Sequence, residues 1–453
     1  MDGERIPDFQ PAFLARLEGQ LGSELPSFLS AMDGPPVRGL RLNRLKQPAM
    51  SFEADFAGSI PWERDGFFLK NESILGSTLW HQAGCFYLQE PAAMVPPAIL
   101  DARPGEKILD LCAAPGGKSV ALGLRMSGDG ILVCNEPAVD RAKVLSGNLE
   151  RMGIPNAVVI SAYPENLTAR WAESFDGVLV DAPCSGEGMF RRLPASRGEW
   201  SGEKAAGCAQ RQRRILACAA ELVRPGGRLV YATCTWNPEE NEENVAWFLS
   251  RFPAFRPEAF FLPGIDAPEG FFTCWPHRLP GEGQFACLLR KGGDGMGRNA
   301  GKAGSGVKKT AEAGPPPVSA QEARSLREAF PGFPPATHCF GKTLVHLPLC
   351  PDLQGLKVLR AGLHLAERRG KTWVPDHALA LSFRPPVCEE TEVSEEGALR
   401  YFSGEALPGG GKGWMLLKVQ GLAVGWVKGT EGRLQNHYPK GLRTSGLRAW
   451  PAD

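Results

Sequence analysis

Apolar residues recur along the chain with two different periods, and the change of period divides the chain into regions. Between residues 93 and 292, short apolar runs alternate with longer stretches of helical spacing. The runs predict strands at 107–111, 130–134, 157–160, 177–181, 227–232 and 285–289. The stretches predict helices at 118–126, 139–152, 206–223 and 239–251. This alternation predicts an α/β fold with a mostly parallel, doubly wound sheet, whose ligands bind outside the carboxyl ends of the strands.

The regions on either side follow other patterns. Residues 1–92 predict a small helical domain, because the apolar positions near the start recur at roughly helical spacing: Phe9, Phe13, Leu14, Leu17 and Leu21. Residues 293–318 are rich in Gly, Ala, Lys and Pro, which predicts a linker that builds no core. Short strand patterns with turn residues then predict β-rich modules at 319–392 and 393–453.

Charge is distributed unevenly over the 453 residues, although the net charge is only +1. From Lys291 onward there are 22 Lys and Arg against 15 Asp and Glu, whereas the residues before it carry 29 against 35. A basic C-terminal part is compatible with an anionic partner such as nucleic acid, and equally with a solvated charged surface. The segment RGLRLNRLK, residues 38–46, has four basic residues and leaves the same two interpretations open.

The cysteines and the apolar runs restrict the class of protein. Twelve cysteines are scattered without a CxxC pair, so neither a zinc ribbon nor a thioredoxin-like redox motif is indicated. The first residues, MDGERIPDFQ, lack a basic and then apolar signal, and no apolar run approaches the ~18 residues needed to span a membrane. We therefore expect a cytoplasmic protein with reduced thiols and no membrane partner.

The sequence ILDLCAAPGGKS, residues 108–119, predicts a strand, a tight loop of small residues and the start of a helix. Gly116 and Gly117 let the backbone approach a ligand closely. A P-loop would need glycine where Cys112 stands, six positions before Lys118, and the GxGxxG dinucleotide fingerprint is absent. Glu136, after the next strand, is suited to accept hydrogen bonds from ribose hydroxyls, or is simply an exposed acid before a helix. The loop within residues 108–119 and the acid Glu136 together predict an adenosine-bearing cofactor.

Two thiols follow predicted strands, at the sheet edge where ligands bind. Cys184 lies in VDAPCSGEG and Cys234 in YATCTWNPEE. A single cysteine is usually a small buried hydrophobe, and two thiols without a nearby His leave a zinc ligand set unfinished. If the two strands are neighbours, both thiols face one pocket beside Asp181, which favours a catalytic role. The residues alone do not say which thiol does what.

The segments LDLCAAPGGKS, VDAPCSGEG and YATCTWNPEENEENV resemble the motifs of RNA 5-methylcytosine methyltransferases of the NOL/NOP/Sun family. YLQEPAAMVPP and the tail segments PDLQGLKVLRAGLHL, GWVKG and NHYPKGLR are similar to its bacterial RsmF type, which modifies small-subunit ribosomal RNA. The resemblance covers nearly the whole chain except the linker. It implies an RNA-binding domain at 1–92, a Rossmann-like methyltransferase domain at 93–292, and C-terminal modules of which the last, at 393–453, is PUA-like and binds RNA.

The resemblance also implies roles for single residues. S-adenosylmethionine is the implied cofactor, a cytosine of ribosomal RNA within the small subunit is the implied substrate, and the protein is expected to be a monomer. Cys234 is the implied nucleophile, Cys184 assists release, and Asp181 lies between cofactor and base. The residues implied to hold the cofactor are Cys112, Ala113, Ala114, Pro115, Gly116, Gly117, Lys118, Glu136, Ser161 and Asp181. Ser161 stands where the family has an acid or amide for the adenine, so backbone contacts are the alternative there.

The chemistry explains why a thiol is needed. Carbon 5 of cytosine is too weak a nucleophile to take a methyl group, and a thiolate that adds at carbon 6 makes carbon 5 enamine-like. Three alternatives remain. One is the same chemistry on transfer RNA. The second is an NAD-dependent oxidoreductase, against which the absence of GxGxxG counts, and the third is a non-catalytic ribosome-assembly factor, which would not need the thiols. In the tail, Trp414, Trp426 and Tyr438 either stack on RNA or pack the module.

Overall fold

The structure, a computed structural model, describes residues 9–46, 48, 51–293 and 315–449. Most of the predicted linker, 293–318, lies outside the described residues. The helices are α1 (Pro11–Leu21), α2 (Leu25–Asp33), α3 (Leu79–Gln82), α4 (Val95–Leu100), α5 (Gly117–Met126), α6 (Val139–Arg151), α7 (Glu165–Trp171), α8 (Ser196–Glu199), α9 (Gly202–Leu222), α10 (Glu242–Arg251), α11 (Ala320–Ala329), α12 (His377–Leu381) and α13 (Glu395–Ser403).

The strands fall into a group before the linker and a group after it. The first group is β1 (Gly39–Leu42), β2 (Phe56–Ser59), β3 (Gly66–Leu69), β4 (Phe86–Leu88), β5 (Lys107–Asp110), β6 (Ile131–Asn135), β7 (Ala157–Ser161), β8 (Phe175–Asp181), β9 (Val223–Thr233), β10 (Phe255–Pro257), β11 (Phe260–Leu262), β12 (Ile265–Ala267), β13 (Phe271–Cys274) and β14 (Gln284–Lys291). The second group is β15 (His338–Phe340), β16 (Thr343–His346), β17 (Lys357–Ala361), β18 (Leu363–Arg369), β19 (Thr372–Pro375), β20 (Glu390–Glu392), β21 (Leu407–Pro408), β22 (Gly413–Val419), β23 (Leu422–Thr430) and β24 (Arg433–Asn436).

The largest sheet has the strand order β10-β14-β9-β8-β5-β6-β7-β17, with β13 also paired to β14. Strands β5 to β9 pair in parallel, and β14 runs antiparallel to β9. Its strands β5 to β9 and β14 are the six predicted from the apolar runs, so the α/β fold with a doubly wound sheet is confirmed. Strand β8 lies directly beside β9, which brings the two thiol-bearing strand ends together.

Helices cover both faces of this sheet, because its strands are apolar on both sides. One face packs against α5 and α6, through residues such as Val120 and Leu145. The other packs against α7, α9 and α10, through residues such as Leu216 and Phe248. Strand β17, from beyond the linker, pairs antiparallel with β7 and extends the sheet. The sequence pattern did not predict this pairing.

The N-terminal region is helical at its start and then forms a sheet. Helices α1 and α2 pack Phe13 and Phe28 against Trp200 and Trp236 of the α/β domain. A four-stranded antiparallel sheet follows, in the order β2-β3-β1-β4. The helical region matches the prediction, and the sheet adds to it. Its strands are only three or four residues long, too short for the alternation of apolar and polar positions to be recognised.

The basic segment 38–46 is largely a structural element. Arg41 is 2% exposed and Lys46 is 3% exposed. Arg41 pairs with Glu63, and the Lys46 ammonium donates to the backbone oxygen of Arg151 at 3.1 Å. Among the cations of the segment that form ion pairs in the described residues, only Arg44 is about half exposed. These contacts favour the structural interpretation of the segment over an RNA-facing patch.

The two C-terminal modules share a core. The first holds the sheet β15-β16-β18-β19, and the second holds β20-β22-β23-β24-β21. Leu326, Leu365 and Ala378 of the first module pack with Leu416 and Trp426 of the second. Strand β20 pairs with β22, so residues 390–392, before the predicted boundary at 392/393, lie in the second sheet.

Two of the three aromatic residues noted in the tail belong to the interior. Trp426 and Tyr438 are buried, at 2% and 3% exposure, whereas Trp414 is half-buried. Trp426 donates from its ring nitrogen to the backbone oxygen of Asp376 in the first module, at 2.8 Å. Trp426 and Tyr438 therefore pack the module, and only Trp414 keeps a surface for a ligand. Among the described residues, no helix combines the length and the apolar character that crossing a membrane requires.

Candidate active site

The site lies where the strand order of the sheet reverses. Strand β5 pairs with β6 on one side and with β8 on the other, and ligands of doubly wound sheets bind at such a switch point. The loop after β5 leads into α5 through Gly116, which has φ +116°, a conformation that favours glycine. A side chain there would also approach Leu145 of α6 to 3.1 Å. The loop is anchored to β6, since the amide of Ala113 donates to the backbone oxygen of Asn135 at 2.9 Å.

Glu136 lies at the end of β6, where the sequence placed it. Its carboxylate accepts from the backbone N–H of Ala138 at 3.0 Å and pairs with Arg141 at 3.3 Å. It lines a cavity of about 560 Å³ together with Cys112, Pro137 and Tyr163. Glu136 is 4% exposed, and its carboxylate is suited to accept hydrogen bonds from hydroxyl groups of a ligand in this cavity.

Lys118 and Asp181 form an ion pair across the switch point. The Lys118 ammonium lies 2.7 Å from an Asp181 carboxylate oxygen, and the two side chains are 13% and 28% exposed. Burial is the largest single influence and would lower the pKa of Lys118, but the charge of Asp181, the hydrogen bond to its carboxylate and smaller contributions from nearby charges together outweigh burial, so the pKa is raised. The lysine therefore stays protonated. The pair lines a second cavity of about 260 Å³, which also contains Tyr87, Gln284 and Cys234.

The two thiols meet beside this ion pair. The Cys184 and Cys234 sulfurs lie 3.1 Å apart, and both cysteines are free. The backbone N–H of Cys234 also donates to the Cys184 sulfur, at 3.3 Å. Hydrogen bonding with Cys234 and burial raise the pKa of Cys184 well above its ordinary value. Cys184 therefore keeps its proton and is able to donate it in a hydrogen bond to the Cys234 sulfur.

A buried carboxyl group fixes the loop that carries Cys184. One Glu240 oxygen accepts from the backbone N–H of Ser185 at 3.0 Å and from the Gln212 amide at 2.8 Å. The other Glu240 oxygen is buried and has no hydrogen-bond partner among the described residues. Burial raises the pKa of Glu240. Ser185 also shares a hydroxyl hydrogen bond with Thr235, at 2.9 Å, which ties the two cysteine loops together.

A second buried acid connects the site to the N-terminal helices. Glu187 is fully buried and accepts from Arg16 of α1, from the Trp200 ring and from the backbone N–H of Trp236. The backbone N–H of Gly188 donates to the Cys234 carbonyl at 2.9 Å. Helix α1 therefore helps to hold the loop that presents Cys234.

The two cavities share their innermost residues. Cys112, Ala114, Asp181 and Cys234 line both cavities, whereas Cys184 lines only the larger one. Cys112 is a third thiol at this junction, but burial and the nearby carboxylates of Asp110 and Asp181 raise its pKa well above the ordinary value. The junction is thus a place where a ligand in one cavity reaches a ligand in the other, with Cys234 exposed to both.

Most of the residues predicted from the sequence converge on this junction. The structure brings together the predicted catalytic set of Cys234, Cys184 and Asp181 and the cofactor set of Cys112, Ala113, Ala114, Pro115, Gly117, Lys118 and Glu136. Gly116 turns the loop behind the cavity wall. Ser161 does not line either cavity, because its hydroxyl donates to the backbone oxygen of Pro137 at 2.9 Å. Tyr163, 69% exposed, lies at that rim instead.

Sequence reasoning missed three acids that shape the site. Glu187 and Glu240 come from the GEG and PEE segments, whose acids look like surface residues in a linear sequence. Asp110 is fully buried at the end of β5 and accepts from the Ser119 hydroxyl at 2.6 Å. Burial raises the pKa of Asp110 to about 7. The only available signal was its position as a charged residue closing an apolar strand, which is costly unless the group is partnered or neutral.

The fold and the site together define a Rossmann-like methyltransferase: a cleft with an acidic rim at the switch point of a doubly wound sheet, opening onto a second pocket with a free thiol. Family models agree along the described chain. The RsmB/F 16S rRNA methyltransferase domain matches residues 97–290, and the RsmF N-terminal domain matches 9–91. The first RsmF C-terminal domain matches 324–383, and the RsmF PUA domain matches 388–444. The chain belongs to the RsmF family of S-adenosylmethionine-dependent rRNA methyltransferases.

Individual relatives and structures agree with this assignment. The chain is 31% identical to the ribosomal RNA small subunit methyltransferase F of Klebsiella pneumoniae (strain 342) and 32% identical to that of Shigella boydii serotype 4 (strain Sb227). Each comparison covers 97% of both chains. A methyltransferase homolog from Pyrococcus horikoshii has 29% identity and a TM-score of 0.53, over 62% of this chain and 99% of that one. NSun6 from the same organism, solved with SFG, shares the fold, with 18% identity and a TM-score of 0.54 over 63% and 99% of the chains.

Proposed function

We propose that this protein transfers a methyl group from S-adenosylmethionine to carbon 5 of a cytosine in small-subunit ribosomal RNA, through a covalent bond between Cys234 and the base. The observation that carries the proposal is the thiol pair. Two free thiols 3.1 Å apart lie next to a Lys–Asp ion pair, both of them at the larger cavity and Cys234 also at the smaller one. They have no structural purpose that a pair of apolar residues would not serve. Covalent catalysis gives them one.

The residues of the larger cavity fit S-adenosylmethionine. Glu136 offers a carboxylate to ribose hydroxyls, and Pro137 and Ile215 offer apolar surface to an adenine. The loop 112–118 offers backbone N–H groups ahead of α5, and the unpartnered oxygen of Asp110 lies behind the loop at the smaller cavity. When bound there, the cofactor supplies the methyl group. Its adenine is expected to meet Tyr163 and backbone rather than the occupied hydroxyl of Ser161.

Cys234 is suited to be the nucleophile. Its sulfur adds to carbon 6 of cytosine, which breaks the aromaticity of the ring and makes carbon 5 nucleophilic. A cysteine at its ordinary pKa is only a few per cent thiolate at neutral pH, so the site must stabilise the negative sulfur. The Lys118 ammonium interacts electrostatically with Cys234 and is suited to supply that stabilisation during attack. We therefore assign attack to Cys234, and the Cys184 thiol, 3.1 Å away, is left for the release step.

The Lys118–Asp181 pair is suited to neutralise the ring during attack. Addition at carbon 6 places negative charge on the pyrimidine, and a proton at ring nitrogen 3 removes it. The ion pair supports a shared role, in which the Lys118 ammonium is the source of the proton and Asp181 orients it.

Release requires the reverse change at the sulfur. The proton on carbon 5 leaves to a base or to water, the S–C6 bond breaks, and Cys234 departs with the bonding electrons. The Cys184 thiol, held next to that sulfur by the Glu240–Ser185 contact, stabilises the departing thiolate. Cys184 thus acts mainly on release, where its loss should trap the protein on its substrate.

The substrate follows from the relatives, whose names specify the small-subunit ribosomal RNA. The test incubates the purified protein with S-adenosylmethionine and small-subunit RNA, either naked or in assembled subunits, and maps methylation by bisulfite sequencing. We expect bisulfite-resistant cytosines with wild-type protein and none with Cys234→Ser. Methylation of transfer RNA alone, or at an atom other than carbon 5, would contradict the proposal.

A further inference from the structure

A groove between the two C-terminal modules presents aromatic side chains that the proposed chemistry does not use. It has a volume of about 760 Å³ and is lined by residues from both modules. Phe330, Phe333 and Trp414 form its half-buried floor, and Lys371 and Lys428 lie exposed at its rim. We call this surface the inter-module groove. The shared core beneath it, which includes Trp426, fixes its two walls relative to each other.

The floor presents aromatic faces in a fixed arrangement. The Phe330 and Phe333 rings stack with centroids 4.3 Å apart and an interplanar angle of 6°. In the second module, the centroids of the Trp414 and His437 rings lie 4.2 Å apart, and the Lys428 ammonium lies 5.7 Å from the centroid of the Trp414 ring. Aromatic rings beside cations are the combination on which unpaired nucleic-acid bases stack.

The rim carries positive charge that the protein does not neutralise. Neither Lys371 nor Lys428 has an ion-pair partner among the described residues, although Lys428 lies over the Trp414 ring. Glu389 is the single acid among the lining residues. Burial chiefly lowers the pKa of His437, and the charges of Lys428 and Arg369 add to this effect. The two ammonium groups above an aromatic floor match a ligand that is apolar and flat on one side and anionic on the other.

We infer that the inter-module groove binds an unpaired nucleotide of the RNA substrate, with the base on the aromatic floor and the flanking phosphates at Lys371 and Lys428. This inference deepens the proposed function, because it rests on RNA being the substrate and names one of the contacts that RNA makes. The linker is a poor occupant, since residues 294–314 carry Arg298, Lys302, Lys308 and Lys309 against Asp294 and Glu312, a surplus of the same sign as the rim. An acidic peptide is the remaining competitor.

The test uses the full-length protein without cofactor and two probes. One is a short fluorescent single-stranded RNA, and the other is the same chain with abasic sites in place of its bases. Trp414→Ala should weaken binding of the intact RNA roughly 5- to 150-fold, the range expected for loss of one base–aromatic stack. It should leave binding of the abasic chain unchanged, and Trp414→Phe should restore most of the affinity.

The lysines should behave differently from the tryptophan. The double variant Lys371→Gln/Lys428→Gln should weaken both probes and reduce the slope of log affinity against log salt by about 1.4, as two single-strand phosphate contacts require. Lys342→Gln is the control, because Lys342 is exposed in the same module as Lys371 and does not line the groove. Its salt slope should equal that of the wild type.

Two binding results would each overturn the inference. One is a Trp414→Ala variant that binds both probes as well as the wild type does, or weakens both equally. The other is a lysine double variant that loses binding of polyglutamate while keeping RNA affinity. Cross-linking wild-type protein to 4-thiouridine RNA guards against misfolded variants, since adducts are expected on the peptides that contain Phe330 or Trp414, and adducts found only elsewhere exclude the groove. These experiments need no methyl transfer, so they fail or succeed separately from the proposed function.

Discussion

The segment 38–46 and the rim of the inter-module groove are both groups of cations, but the protein uses them differently. Arg41 and Lys46 point inward, at 2% and 3% exposure, and each has a partner inside the protein. Lys371 and Lys428 are exposed and make no ion pair among the described residues. The comparison shows that the density of basic residues in a sequence does not identify an RNA surface. Burial and the presence of an internal partner distinguish the two cases.

The buried arginine provides the largest expected effect. Arg41→Met leaves Glu63 buried with Arg125 as its remaining partner and removes the contact of Arg41 with Gln89 at 2.7 Å. Breaking a buried pair costs about 3–5 kcal/mol when the other charge is left alone, and because Glu63 keeps Arg125 we expect a loss near the lower end, at about 3 kcal/mol. Urea unfolding followed by tryptophan fluorescence measures the loss. Arg44→Met is the matched control, since Arg44 is about half exposed and such pairs contribute about 1 kcal/mol or less. Equal shifts in the two variants would contradict the structural role of Arg41.

The buried lysine predicts a dependence of stability on pH. Burial, with a smaller contribution from Arg151, lowers the pKa of Lys46 to about 7. Above pH 7 the folded state has released this proton, whereas the unfolded state keeps it up to about pH 10.4. Stability therefore rises with pH above 7, by about 2–3 kcal/mol up to pH 9, and is unaffected by this group below pH 7.

The measurement compares urea unfolding at several pH values. We expect Lys46→Met to remove most of the rise between pH 7 and pH 9. Lys371→Met, which changes an exposed lysine, should keep the wild-type pH profile. If the profiles of wild type and Lys46→Met stay parallel, then Lys46 is charged in the folded protein and the contrast between the two basic regions is weaker than we infer.

The sequence predicted the elements of the α/β domain because their apolar patterns are local. Strands β5 to β9 and β14 show as apolar runs, and the motif residues Lys118, Asp181, Cys184 and Cys234 follow them directly. Parallel strands present their carboxyl ends at one edge, so placing these residues in one region needed only the fold class. The sequence pattern does not order the two thiols, and which of them attacks the base stays a prediction.

The missed features depend on contacts between distant parts of the chain. Strand β17 pairs with β7 across the linker, and Glu187 binds Arg16 of α1. Nothing in the sequence near β17 or near Glu187 indicates the partner of that strand or of that side chain. The Ser161 hydroxyl bonds to the backbone oxygen of Pro137 and lines neither cavity, so backbone recognition of the adenine stays the predicted alternative. Local patterns report what an element is, and long-range packing decides what its side chains contact.

The most direct test of the central claim compares the two thiols as covalent traps. Cys184→Ala and Cys234→Ala proteins are each incubated with substrate RNA and S-adenosylmethionine, and RNA–protein complexes that survive denaturation are counted. We expect Cys184→Ala to accumulate such a complex, because attack and methylation proceed while release slows. We expect no complex with Cys234→Ala, which lacks the attacking sulfur. A complex with Cys234→Ala and none with Cys184→Ala would contradict the assignment of the nucleophile, and no complex with either would contradict covalent catalysis by this pair.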